Sequence, residues 1–568
     1  MPTASPSTDV VIVGMGAAGG IAADVLTDAG LSVVGLEAGE RVAADMMSLD
    51  EIRNDIRGWL VGPKARGERP TWRERASDEA GPPPWPILMV NAVGGSTVHY
   101  DGVSFRLLPW HFEARSRTIE RYGADAIPRG STVADWPISY EELEPYYDLV
   151  EHAVGVSGTA GNVAGVPSTA GNPFEGPRSR EYPMPPLRST GWLDLLSGAA
   201  SSLGWHPYPA PAAINSVPYD GRAACTYCGY CKNNGCYVGA KGSPEVNVIR
   251  RAESTGRLRV ETGARAVSIE VDGEGLATGV RYVKDGQERF QPAAVVLVGG
   301  YVFENVRLLL LSVSRVYPNG LANNHGQVGR HFTAHVMPCA FGLFEGTSLN
   351  RLNGSSGGQG LCVDDWNGDA FDHAGLGFIG GALLMALQQI KPIETATEHV
   401  PPEMRRWGSE WKRWMRTQAG SVGSMYAQID ALTYEDQLID LDPAVTDPLG
   451  LPVARVTHAV RANEANAARF MAGKMEAWLQ AAGATRTWLR RLAAVDGRHA
   501  FGGTRMGDDP DASVVDRHGL SHEAPNLGIL GASVFPTAGG YNPTLTVQAT
   551  AWRTAEHLVH NWSTVARS

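Results

Sequence analysis

Apolar positions first form short continuous runs. Asp9–Val13 (DVVIV) is one, as expected of a strand buried on both faces. Glycines follow, then Ala17–Ala29, a stretch of good helix formers with little to break it. Leu31–Glu37 (LSVVGLE) predicts the next strand, so the chain opens with a βαβ unit. Ala293–Val298 predicts another buried strand, ended by Gly299–Gly300. Leu258–Arg281 alternates with period two, with Gly273 and Gly279 placed for turns, and predicts a small antiparallel meander. After His335 the pattern loosens, and residues 340–490 read as a separate α+β region. Asn526–Phe535 predicts a last strand and Thr544–Trp562 a last helix.

Between these runs the punctuation is clear. Gly81–Pro86 (GPPPWP) is a turn-rich loop. Ser139 followed by Glu142 forms a capping box that opens a helix toward Gly155. Residues 155–190, rich in Gly, Pro, Ser and Thr, predict a long surface excursion. No internal repeat or low-complexity tract is visible.

Size and charge narrow the function classes. At 568 residues the chain predicts two to four structural units. A net charge of −11 argues against a nucleic-acid partner and against electrostatic binding to an anionic membrane surface. The apolar runs are too short to span a bilayer, and no basic segment precedes an apolar one near Met1, so the expected location is the cytoplasm.

Chemistry enters with Gly14-Met15-Gly16-Ala17-Ala18-Gly19, a GxGxxG that follows a predicted strand and opens a predicted helix. Glu37 closes the second strand, 18 residues after Gly19. In that context the motif predicts a dinucleotide site. Gly14 makes the tight turn, Gly16 lets the backbone approach a pyrophosphate, and Gly19 lets helix and strand pack closely. The helix N-terminus at Ala17 and Ala18 offers N–H groups to phosphates, and Glu37 would bind ribose hydroxyls. The motif alone does not separate FAD from NAD.

Three further stretches separate them. Gly94-Gly95-Ser96-Thr97-Val98-His99-Tyr100 is one, His499-Ala500-Phe501-Gly502-Gly503-Thr504-Arg505-Met506-Gly507 the second, and Ala532-Ser533-Val534-Phe535-Pro536-Thr537, continued by Asn542-Pro543-Thr544-Leu545-Thr546, the third. With the GxGxxG, their order and spacing resemble the GMC (glucose–methanol–choline) flavoprotein oxidoreductases over nearly the whole chain. SFRLLPWHF and DWPISYEELEPYY are similar to the sugar-oxidising branch, which includes gluconate, fructose and glucose dehydrogenase large subunits, pyranose oxidases and bacterial glycoside 3-oxidases.

The resemblance implies an α/β fold: a doubly wound, Rossmann-type FAD-binding domain from residues 1–335, an α+β substrate domain from 336–495, and a segment, 496–568, that completes the FAD domain. It implies FAD contacts at Gly14, Gly16, Ala17, Ala18, Gly19, Glu37, Gly94, Gly95, Thr97, His99, Ala532, Ser533, Asn542, Pro543 and Thr544. His499 would be the base and Asn542 would hold the substrate hydroxyl. An imidazole suits the first role because its pKa lies near working pH. Asn-Pro-Thr before an apolar helix is also an N-cap pattern, and both roles stay open for Asn542. In pyranose 2-oxidases and choline oxidases a His at the place of His99 is bonded covalently to flavin; a structural turn His is the other reading. The expected reaction is oxidation of a sugar or glycoside secondary alcohol, at C3 of the glycosyl ring, with oxygen or another electron acceptor. The alternative is a dehydrogenase catalytic subunit with an iron–sulfur cluster that passes electrons to a quinone or cytochrome.

Cys225, Cys228, Cys231 and Cys236 bear on that alternative. Their x2-x2-x4 spacing resembles ferredoxin-type ligation, with structural thiols and zinc as the competing readings. Two smaller patterns remain. Trp407, Trp411 and Trp414 recur at helical spacing, as in core or lid packing or a sugar-stacking stripe. His331 and His335 are four apart but lack the Glu of an HExxH metal helix.

Overall fold

The computed structural model describes residues 3–85, 88–352, 354–355, 358–388, 391–492 and 495–566. Pro86, at the end of the GPPPWP loop, lies outside them.

The predicted βαβ unit forms as Thr8–Val13, the helix Ala17–Asp28 and Val33–Leu36. Its strands pair in parallel, Val10 against Val33 through Val13 against Leu36. Val10, Val11 and Ile12 have no exposed surface, as the unbroken apolar run requires. Gln287–Val298 joins the other side of Thr8–Val13 through its apolar second half, and Leu527–Ile529 pairs beyond it. Leu258–Glu261 is the opposite edge, parallel to Val33–Leu36. These five parallel strands carry the helices Ala17–Asp28 and Thr544–His560, which pack on each other; Tyr140–Val154 packs on the latter.

Three expectations change. Leu258–Glu261 belongs to the parallel sheet, not to the meander, which runs through Arg265–Val271, Ala277–Lys284 and the first half of Gln287–Val298. An edge strand shows one face to solvent, so its period-two pattern looks the same in either sheet type. Gly279 makes no turn; it sits at a register shift inside Ala277–Lys284. The last strand is only Leu527–Ile529, because Gly531, at φ +99°, turns the chain into the short helix Ala532–Val534.

Residues 155–190 hold the two-residue strands Asn162–Val163 and Val166–Pro167, and they are not the surface excursion expected. The capping box of Ser139 and Glu142 is present, and the helix it opens ends at Gly155 in the left-handed region, φ 79°. Inside that helix Glu151 is wholly buried and takes both Arg106 (2.8 Å) and Arg178 (2.5 Å). Arg178, itself 1% exposed, pins the excursion to the core.

A second sheet runs Arg486–Arg490, Cys339–Leu343, Val422–Ile429, Ala382–Leu387, Gly360–Val363 and Tyr208–Pro209, with the helix Ala462–Ala481 on one face. Thr333–Val336 pairs with both Val422–Ile429 and Val495–Phe501. These strands face the parallel sheet across a cavity of about 470 Å³.

Candidate active site

One end of the cavity is built by glycines. Gly14 has φ +90°, and a Cβ there would lie 2.6 Å from the Gly299 carbonyl oxygen, so the turn closes only without a side chain. At Gly19 a Cβ would fall 2.0 Å from the Gly14 oxygen, which is the close helix–strand contact expected of it. Gly95, at φ +56°, faces Gly16, and a Cβ on it would come 2.9 Å from the Gly16 Cα. The GxGxxG turn and the GG turn therefore face each other with bare backbone. The helix at Ala17 has no side-chain cap, which leaves its first N–H groups for an anion.

Glu37 is 6% exposed and accepts from Met15 N (3.0 Å) and Gly39 N (2.9 Å). Burial pushes its pKa up to about 7. His99 gives its Nε2 to the Leu88 carbonyl at 2.8 Å, while its buried Nδ1 has no partner among the described residues. Burial lowers this ring to about 3, so it is neutral with a free lone pair on the cavity wall.

The cavity is lined by Gly14, Gly16, Ala17, Ala18, Glu37, Gly95, Thr97, His99, Ala532, Asn542, Pro543, Thr544 and His499. Gly19, Gly94 and Ser533 stand behind that wall. Ser533 accepts from Asn305 at 2.9 Å and Gly94 receives the Thr97 hydroxyl. The facing bare turns, the buried carboxylate and the orphan imidazole nitrogen fit a bound FAD.

At the other end, His499 lies on Val495–Phe501 and Asn542 just before the helix Thr544–His560. Asn542 Nδ2 and His499 Nε2 are 3.2 Å apart. The capping reading of Asn542 is not realised: the N-cap is Pro543, and no side chain caps that helix. Burial lowers His499 to about 4, against an upward pull from Asp496. Arg498 and Asp101 are the other charges that act on it. A neutral imidazole with a polar amide at its free nitrogen can take a proton from a bound hydroxyl.

Other residues of this end were not singled out by sequence. Asp101, Lys232, Glu394, His399, Tyr426 and Arg498 all line the cavity around His499. Lys232 pairs with Glu394 at 2.5 Å, and Arg498 pairs with Asp496. Asp101, two residues after His99, and Arg498, next to His499, flank recognised motifs. Tyr426 is on Val422–Ile429, Glu394 and His399 are in and just after the helix Pro392–Glu398, and Lys232 follows Cys231; none of them carries a signature of its own.

The remaining patterns resolve blandly. Cys225, Cys228, Cys231 and Cys236 are free thiols. Burial pushes Cys225 up to about 12. The loop closes around the Lys241 ammonium, which binds the carbonyls of Tyr100 (2.6 Å), Cys231 (3.1 Å) and Asn234 (2.6 Å). Among the described residues no three His, Cys, Asp or Glu side chains are grouped to hold a metal ion, so the cluster reading gains no support. His331 turns to Thr132 at 2.9 Å, away from His335. Trp414 is buried, Trp411 packs beside it, and Trp407 is exposed; none reaches the cavity. No helix among the described residues is long and apolar enough to cross a membrane.

Comparison with known proteins bears on the family and the fold. The profile of a family described as GMC oxidoreductase matches residues 439–551. The gluconate 2-dehydrogenase flavoprotein of Pantoea cypripedii is 35% identical, with 97% of this chain and 93% of that one covered. The 6'''-hydroxyparomomycin C oxidase of Streptomyces lividus is 29% identical over 98% of this chain and 92% of its own. A crystal structure of pyridoxine 4-oxidase from Mesorbium loti shares the fold, with a TM-score of 0.64 at 17% identity over 98% of this chain and 99% of that one.

Two outcomes are expected. Gly14→Ala adds a Cβ where φ is positive and the Gly299 backbone is in the way. About 1–2 kcal/mol of conformational strain precedes any clash. The variant should purify with less FAD, read by its visible absorbance, and unfold at lower temperature. For the native enzyme, kcat/KM should be level from neutral pH down and fall only as protons reach His499 near pH 4. An acid limb centred at the ordinary histidine value, about 6.5, would contradict a buried base.

Proposed function

The chain belongs to the GMC oxidoreductase family, and from that premise we propose that it oxidises a ring secondary alcohol of a sugar or glycoside to the ketone, at C3 of the glycosyl ring. The protein is a flavoprotein that binds FAD and acts on CH–OH groups. The His499–Asn542 pair on the cavity wall carries the reading.

FAD, when bound, supplies the acceptor for the hydride that leaves the carbinol carbon. Every other part of the reaction falls to the chain. His499 Nε2 takes the hydroxyl proton, because burial keeps it unprotonated at neutral pH. Asn542 Nδ2 donates to the same oxygen and holds it against the imidazole. The Asp496 carboxylate favours the imidazolium that results.

The polar wall supports a polyhydroxylated substrate. Asp101 Oδ1 is buried with no hydrogen-bond partner among the described residues, and a substrate hydroxyl would satisfy it. Lys232, Glu394 and His399 offer further donors and acceptors. Support for a sugar also comes from the gluconate and paromomycin relatives. Support for C3 comes from the stretches that resemble the glycoside 3-oxidases.

The relation to a gluconate 2-dehydrogenase flavoprotein favours a second reading of the electron's exit, to a quinone or cytochrome in place of oxygen.

A panel of free sugars, aryl glycosides and aldonates, run with oxygen and with an artificial acceptor in parallel, tests both readings. We expect 3-keto products from glycosides. Peroxide release without added acceptor would mark an oxidase, and turnover only with the acceptor a dehydrogenase. His499→Ala should lower kcat by roughly 10²–10⁴-fold; unchanged turnover would remove the proposed mechanism. Asp101→Asn should raise KM for the preferred polyol roughly tenfold, the loss of one charge-assisted hydrogen bond, with little change in kcat.

A further inference from the structure

His335 lies behind His499, has no exposed surface and does not line the cavity. It sits on Thr333–Val336, whose Ala334 pairs with Ala500 of the strand bearing His499. The two rings meet edge to face at 5.2 Å, with Nδ1 of one 3.2 Å from Nδ1 of the other. Nε2 of His335 is 2.6 Å from the Gly539 carbonyl oxygen.

We infer that His335 is a positioning residue that fixes the proton of His499 on Nδ1 and so leaves Nε2, the nitrogen facing Asn542, as the basic one. The polarity follows from groups that can act in one way only. A carbonyl oxygen accepts and never donates, so His335 Nε2 carries a proton. His335 is neutral, because burial and the neighbouring His499 both oppose its charge. Its Nδ1 is therefore bare and accepts from His499 Nδ1–H. A neutral His499 with its proton on Nδ1 has its lone pair on Nε2.

The far end is fixed independently. Gln428, fully buried on Val422–Ile429, gives its Nε2 to the Gly540 carbonyl at 3.3 Å. The same nitrogen donates to Asn542 Oδ1 at 3.3 Å. The Asn542 amide is then oriented with Nδ2–H toward His499 Nε2, the donor that a bare nitrogen requires. Two successive carbonyls, Gly539 and Gly540, thus set every proton in the circuit. Gly539 has φ +68°, and a Cβ on it would lie 2.7 Å from Leu107, so the turn that aims these carbonyls excludes larger residues.

The circuit has a second consequence. A proton taken up at His499 Nε2 has no exit through His335, whose outer nitrogen ends on a carbonyl. It must leave by the cavity.

The inference rests on the reading of His499 as the base, and its test keeps the two apart. In the holoenzyme labelled with 15N-histidine, long-range 15N–1H spectra should show His499 protonated at Nδ1 and bare at Nε2, with the assignment made by loss of the signal in His499→Asn. A native His499 protonated at Nε2 overturns the inference whatever the activity. This readout needs only His499→Asn to fold and no substitution at His335.

Substitutions then separate polarity from packing. His335→Gln can accept from His499 and donate to Gly539; His335→Met fills similar space and does neither. His335→Met should lose roughly 10–100-fold in kcat, part of what a positioned base contributes, with KM within about twofold. His335→Gln should stay within a few-fold of native. Equal losses in both variants, or a native kcat in His335→Met, would show that only packing matters. If the Nδ1–H form is found yet His499→Ala still turns over, the base reading fails and the tautomer assignment survives.

Discussion

The contact between Asn542 and His499 ties together two parts of the chain that local structure alone would keep separate. Asn542 sits at the start of a helix packed on the dinucleotide unit, and His499 on a strand that pairs into the second sheet. A 3.2 Å hydrogen bond between them requires both bodies to be held to a fraction of an ångström. Rigid backbone supplies that precision. Gly14 meets Gly299 where two parallel strands end, and Gly502 at φ +74° sits against the His331 carbonyl. Each contact is backbone on backbone, which has no rotamer to adjust. The glycines matter because they let rigid elements approach, not because they add flexibility.

Much of this was legible because the signals are local. A strand, GxGxxG and a helix lie within a few residues of each other, and their meaning depends only on that order. The capping box at Ser139 is of the same kind. The motif around His499 and Asn542 was legible only through family resemblance, since a lone His or an Asn-Pro has many commoner uses. His335 was seen but set aside, because its partner is 164 residues away and reaches it only through the pairing of Ala334 with Ala500. Lys232, Glu394 and His399 were not seen at all. Lys232 lies inside the cysteine segment, and Glu394 and His399 lie in and just after the short helix Pro392–Glu398; tertiary packing brings them to the cavity, which leaves no periodic trace.

The cysteine segment shows the opposite failure. Its spacing suggested thiolates converging on a cluster, but spacing says only that chain length permits convergence. Lys241, five residues past Cys236, is drawn against the loop and takes two of its carbonyls, those of Cys231 and Asn234, together with that of Tyr100. A buried ammonium needs those acceptors to offset its lost hydration. Once it has them, the loop is ordered by a cation of the protein itself.

A base lowered to about 4 by burial is a poor match for a free alcohol, and the proposed role of His499 needs a reason why it would serve. The proton has to leave the hydroxyl only as the hydride leaves carbon, when the oxygen is turning into a carbonyl and sheds its proton readily. What the site must supply at that moment is a bare nitrogen in the right place, not a strong base waiting in water. Burial provides the bare nitrogen by denying charge to the ring. The Gly539 and Gly540 carbonyls decide which nitrogen it is, and Asp496 eases the charge once it forms. The same burial that weakens His499 as a base thus keeps it in its reactive form over the whole neutral range.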